Sequence, residues 1–263
     1  MSRRHFTLTR VSWLATFRAD DTGARTPTPA APHPGQTELD KVASFLLFVP
    51  VLLFSMVAHE YAHGYAAFRQ GDATAYQLGR LTWNPVKHVD PFMTILLPLF
   101  TYFVWGFAFG GAKPVPVNPR NYRNFKRGDI VVSLAGVATN FVVAVICTVL
   151  VVIIGVIGQR AAGALQELVL LQMMMVYGIF FNLLLAFFNL IPIPPLDGSH
   201  VVKYLLPPAW AMQYERAGRF GLLLVFAVVF FLPGLWLEPV VGASRMALRW
   251  AGPFLLPGVT GAL

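Results

Sequence analysis

The stretch with the densest chemistry is His59-Glu60-Tyr61-Ala62-His63. On a helix, residues four apart share a face, so both imidazoles can offer a ring nitrogen to one metal ion while Glu60 sits beside them to handle a proton. The spacing suits zinc. Two histidines and a carboxylate inside an apolar helix are costly to desolvate, which points to a bundle interior or an aqueous cavity with a function. A catalytic zinc usually takes three protein ligands and keeps one position for water. The candidates for the third are His88, His200, Asp72, Asp90, Asp129, Asp197 and the remaining glutamates. Asp197 stands out because it closes the run Asn189-Leu-Ile-Pro-Ile-Pro-Pro-Leu-Asp-Gly198. Proline cannot continue a helix and glycine permits a sharp turn, so the chain there leaves helical geometry and can aim a carboxylate inward. The chemistry expected of such a site is peptide hydrolysis. Zinc would lower the pKa of its water to about 7, and Glu60 would accept a proton and pass it to the leaving amine.

The elements that must position these residues are membrane helices. Of 263 residues, 56% are hydrophobic and only 12% charged, about half the charged share of a soluble globular chain. An ordinary soluble enzyme is thereby excluded. Five apolar segments follow one another: 42 to 68, 91 to 109, 130 to 158, 168 to 190 and 220 to 237. About 20 helical residues cross the hydrocarbon, so the first, third and fourth are long enough, the fifth adequate and the second marginal. The expected fold is an all-α polytopic membrane protein: three core transmembrane helices with accessory helices and a re-entrant or extended loop. The divisions are a disordered basic tail at 1–41, a membrane domain at 42–237 and an interfacial tail at 238–263.

The net charge, 20 − 12 = +8, fits this picture without a nucleic-acid partner, because basic residues gather in cytoplasmic connections. Arg69, Arg80 and Lys87 follow the first segment; Lys113, Arg120, Arg123, Lys126 and Arg127 precede the third; Lys203, Arg216 and Arg219 lie between the fourth and fifth. The turn between the third and fourth holds only Arg160. Both connections flanking the second segment therefore belong on one side, and that segment must enter and return or lie in the interface. The scheme places the five N-terminal arginines outside, against the same rule. The lone cysteine, Cys147, permits neither a disulfide framework nor a thiolate cluster.

Three motifs in order resemble the site-2 protease family of intramembrane zinc metalloproteases: HEYAH at 59–63, GGAKPVPVNP at 110–119 and NLIPIPPLDG at 189–198. The resemblance implies that His59, His63 and Asp197 bind one Zn2+ per chain, that Glu60 is the general base, and that Asn189 steadies the polarised substrate or water. AGVATN at 135–140 is similar to the family's GPxxN, with Val137 in place of the usual proline. Asn140 is then either a site residue or an interhelical hydrogen bonder. The chain is similar to a minimal member without a PDZ or CBS domain. The substrates so implied are transmembrane segments of other proteins within the bilayer of a bacterial-type cell membrane, the site opening to the cytoplasmic side.

The segment Lys113-Pro114-Val115-Pro116-Val117-Asn118 is extended by its prolines and could bind an unwound substrate by strand addition, or plug the bundle. His200 either touches the site, orients Asp197 or is a plain loop histidine. His88 reads as an interfacial residue, and Met173, Met174 and Met175 as core. An alternative function is a membrane metal transporter, or a non-catalytic membrane metalloprotein, using the same cluster. Transporters favour internal repeats and mirrored broken helices, which the sequence lacks, and a binding module has no need of Glu60.

Overall fold

The computed structural model describes residues 34–105, 110–160 and 162–262. Every regular element among them is helical. The α-helices are α1 (Pro34–Gln70), α2 (Thr74–Gln77), α3 (Leu97–Trp105), α4 (Phe125–Gly158), α5 (Leu165–Asn189), α6 (Asp197–Val202), α7 (Pro208–Ala217), α8 (Gly221–Phe231), α9 (Pro233–Ala251) and α10 (Pro257–Ala262).

The long helices α1, α4 and α5 each pack on the other two. Along α4 the side chains sort by period. Asn140, Ala144, Cys147, Val151, Gly155 and Gly158 face inward, whereas Val142, Val145, Ile146, Val149, Ile153 and Ile157 lie on the exposed face. A helix apolar on its outer face as well as its inner one is solvated by hydrocarbon, not water. Helices α4 and α5 are each long and apolar enough to cross a membrane, and the α7–α8 and α9 stretches, bent by 67°, make a third crossing if counted as one span. The chain is thus a polytopic membrane protein.

Several expectations shift. Helix α1 begins at Pro34, so residues 34–41 of the expected tail are helical; proline at a first helical position already holds a helical φ and needs no donor. Residues 1–33 lie outside the described residues. The expected span 220–237 is broken between α8 and α9, where Pro233 can start a helix but not continue one. Residues 238–263, expected as an interfacial tail, instead supply Val240, Leu248, Ala251, Leu256 and Val259 to the buried core around Val151 and Ile179. Of the three methionines expected in the core, Met173 and Met175 pack against it.

The second apolar segment starts and ends in one place. Asp90 accepts hydrogen bonds from the amides of Phe92 and Met93 (3.0 and 2.8 Å), opening a π-helical stretch at Pro91–Leu96 that runs into α3. The chain is back by Gly111, whose amide donates to the Met93 carbonyl at 3.0 Å while its carbonyl accepts from Thr94 Oγ1 at 2.7 Å. From there residues 111–118 run extended beneath α1 and α2.

Candidate metal centre

Helix α1 presents His59 and His63 on one face, as their spacing requires, with ring centroids 4.5 Å apart. Each ring is fixed through its far nitrogen. His59 Nδ1 donates to Asn140 Oδ1 at 2.6 Å, and His63 Nδ1 donates to the Val132 carbonyl at 2.7 Å. With both Nδ1 atoms acting as donors, both Nε2 atoms carry lone pairs, and these face each other 2.9 Å apart. Asp197 Oδ2 lies 3.3 Å from each of them, buried and without a hydrogen-bond partner. Three potential ligand atoms thus converge on one point, an arrangement that a shared metal ion would satisfy. The donor set, two neutral imidazoles and a carboxylate, matches that of catalytic zinc sites.

The rings rest on bare backbone. A Cβ added at Gly136 of α4 would fall 2.5 Å from His63 Nε2 and 2.6 Å from His59 Cε1. Any larger residue there would displace the imidazoles.

Behind the site lies a buried polar chain. Asn140 Nδ2 donates to Asn182 Oδ1 at 2.9 Å, and Asn182 Nδ2 donates to Ser55 Oγ at 2.8 Å and to the Gly178 carbonyl at 2.8 Å. Ser55 Oγ donates in turn to the Val51 carbonyl at 2.8 Å. Ser55, Asn140 and Asn182 are all fully buried. Asn140 thus bonds between helices and holds the His59 ring in one tautomer.

Glu60 does not join the three converging atoms. Its Oε2 accepts the Val115 amide at 2.7 Å, which fixes the carboxylate against the extended segment. Val115 is buried, its Cγ1 lying over Gly64, one turn beyond Glu60. The rest of the segment is anchored likewise. The Lys113 amide donates to the His88 carbonyl (2.8 Å), the Lys113 and Pro114 carbonyls accept from Arg80, and the Asn118 amide donates to Asp72 Oδ2 (2.6 Å). Pro114 and Pro116 have no N–H to offer, and the amides of Lys113, Val115 and Asn118 are already taken within the chain.

Five of the other third-ligand candidates are engaged elsewhere. Asp72, fully buried, gathers Asn118, Asn121 and Thr74. Burial alone would raise its carboxyl, yet the Asn118 amide and the Thr74 and Asn121 side chains hold it below the ordinary 3.8. Asp90 opens the π-helical stretch. His88, expected at the interface, is buried with Nε2 on the Thr82 carbonyl at 2.8 Å. Asp129 and His200 bind each other at 3.1 Å. Asn189 turns its amide back to the Leu185 carbonyl of its own helix at 2.9 Å, so the structure does not aim that donor at the converging atoms. Sequence reasoning passed over Ser55 and Asn182; the one signal was a polar residue within a long apolar run.

A profile described as Peptidase family M50 matches residues 47–232. The chain belongs to that family. This agrees with the site-2 protease resemblance of its three motifs, and it makes the chain a metalloprotease. Two bacterial relatives carry the name "Putative zinc metalloprotease". YwhC of Bacillus subtilis (strain 168) is 38% identical over 201 residues, covering 75% of this chain and 86% of its own length. Rip2 of Mycolicibacterium smegmatis is 30% identical over 197 residues, 75% of this chain and 71% of its own. No solved structure gives a significant match.

Proposed function

We propose that this chain is an intramembrane zinc endopeptidase that hydrolyses peptide bonds within or near transmembrane segments of other membrane proteins. The observation that carries the reading is the convergence of His59 Nε2, His63 Nε2 and Asp197 Oδ2 inside a bundle of membrane-spanning helices, with Glu60 on the same helix. One Zn2+ per chain, held by those three residues, would supply a Lewis acid for the scissile carbonyl and its attacking water.

The protein's own residues do the rest. Asn140 and the Val132 carbonyl keep both imidazoles in the tautomer that leaves Nε2 free to ligate. The Val115 amide holds Glu60 Oε2, and Oε1 is the oxygen we assign to take a proton from water and return it to the leaving amine. The hydrocarbon-facing sides of α4 and α5 favour a substrate that arrives through the bilayer, and it must unwind locally because a helix hides its carbonyls. The basic connections around 69–87, 113–127 and 203–219 support a site opening to the cytoplasmic side of a bacterial-type cell membrane, and the return of the chain to Met93 at Gly111 supports placing both flanking connections together.

The test is cleavage of a single-span substrate in liposomes by purified wild type and Glu60→Gln, alongside metal analysis of both. Zinc retained with cleavage reduced by about 10²–10⁴ is the expected outcome. Undiminished cleavage by Glu60→Gln would remove the general base from this scheme.

A further inference from the structure

Asp197 has an insecure support. It is the first residue of α6, a helix of six residues whose preceding residue, Leu196, makes no side-chain cap. A helix that short is not stable by itself. Upstream, the prolines at 192, 194 and 195 cut it off from α5. Something else must hold the carboxylate near the two imidazoles.

That support lies outside the metal centre, on α4. Asp129 has a side chain only 3% exposed, and three residues of the α6 segment converge on it. His200 Nδ1 lies 3.1 Å from Oδ1, while Lys203 Nζ at 2.7 Å and the Tyr204 hydroxyl at 2.9 Å meet Oδ2. His200 stands three residues beyond Asp197, on the face of α6 that carries the ligand, and Lys203 and Tyr204 follow in the turn that ends the helix. Lys203 also lies over the Tyr204 ring at 4.9 Å and reaches Glu215 Oε1 at 3.6 Å, so the grip is backed from α7.

We propose that Asp129 is a positioning residue for the third metal ligand, clamping α6 through His200, Lys203 and Tyr204 so that Asp197 meets the two histidines. Helix α4 then orients the whole set without supplying a ligand: Asn140 sets His59, the Val132 carbonyl sets His63, Gly136 floors both rings, and Asp129 sets Asp197. Asp129, Gly136 and Asn140 fall at i, i+7 and i+11, on one face of α4. The inference rests on Asp197 being a ligand, as proposed above.

The experiment uses the full chain in detergent with Co2+ as a spectroscopic stand-in and Zn2+ by competition. Wild type and Asp197→Ala fix the two reference spectra. If they do not differ, the ligand reading itself fails, separately from the clamp. Asp129→Leu is expected to weaken Zn2+ binding about 10- to 100-fold, the usual effect of losing a partner behind a ligand. Its Co2+ absorption should move toward that of Asp197→Ala, a change that a general loss of stability would not produce. A folded Asp129→Leu with wild-type affinity and spectrum overturns the clamp. Should that variant fail to fold, the pair His200→Ala and Lys203→Met, which leaves Asp129 in place, carries the same expectation and the same refutation.

Discussion

Two knots of buried polar side chains cross this bundle. One joins Ser55, Asn182 and Asn140 and runs out to His59. The other is centred on Gln172 of α5, fully buried, whose Nε2 donates to the carbonyls of Val151 (2.9 Å) and Phe254 (3.0 Å) and whose Oε1 accepts the Leu256 amide at 2.8 Å. Both replace missing water with internal partners, as hydrocarbon demands. They differ in how they end. The Gln172 knot is closed: it ties the chain after α9 to α4 and α5 and leaves nothing over. The Asn140 knot ends on an acceptor, Asn140 Oδ1, which takes the His59 Nδ1–H and so turns that ring's Nε2 lone pair to a place where two other acceptors already point. Chemistry sits where the hydrogen bonding within the protein is left incomplete.

That contrast predicts a graded series. Asp197→Ala or His59→Ala, removing a converging atom, should abolish stoichiometric zinc and proteolysis together. Full zinc in purified Asp197→Ala would break the first half of the comparison. Asn140→Ala should act more gently, lowering zinc affinity about 10- to 100-fold by releasing the His59 ring while the ligands stay in place. Competition with a chelator of known affinity measures it. Gln172→Leu should do the reverse. It takes their side-chain partner from the Leu256 amide and the Phe254 carbonyl, costing about 1–3 kcal/mol of stability, with zinc affinity unchanged. Thermal unfolding beside metal analysis separates the two effects, and a shift in zinc affinity would erase the distinction between the knots.

The smallest effect is one of pH. The Asp72 carboxyl is held below 3.8 in the folded chain, so it contributes stability that is complete above the unfolded value and lost as pH falls through the folded one. In metal-free protein, Asp72→Asn should therefore flatten the fall in unfolding temperature between about pH 5 and pH 3.

How much of this was legible in the sequence depends on distance along the chain. His59, Glu60 and His63 lie within one helical turn, so helix geometry alone brings the histidines together. Asp197 was legible for a different reason: prolines and a glycine announce a break, and a break at membrane depth needs a purpose. The partner that fixes His59 lies 81 residues away, and nothing local in AGVATN says whether Asn140 faces a ring, a neighbouring helix or both. Gln172 and Asn182 look alike as single amides in apolar helices, yet one locks the fold and the other stands behind the site; only the packing of α1, α4 and α5 separates them. The break before Pro233 was written in the sequence, but a mean over the apolar run hides it. The buried role of Val240, Leu248 and Leu256 follows from docking on α5, which no local pattern encodes.

The floor beneath the two imidazoles is the backbone of α4 at Gly136. A pocket walled by side chains can adjust its width by rotamer changes, whereas one floored by main chain cannot. Its width is the separation of α1 from α4, so the pocket's size is set by how two helices lie against each other and cannot be tuned without moving one of them.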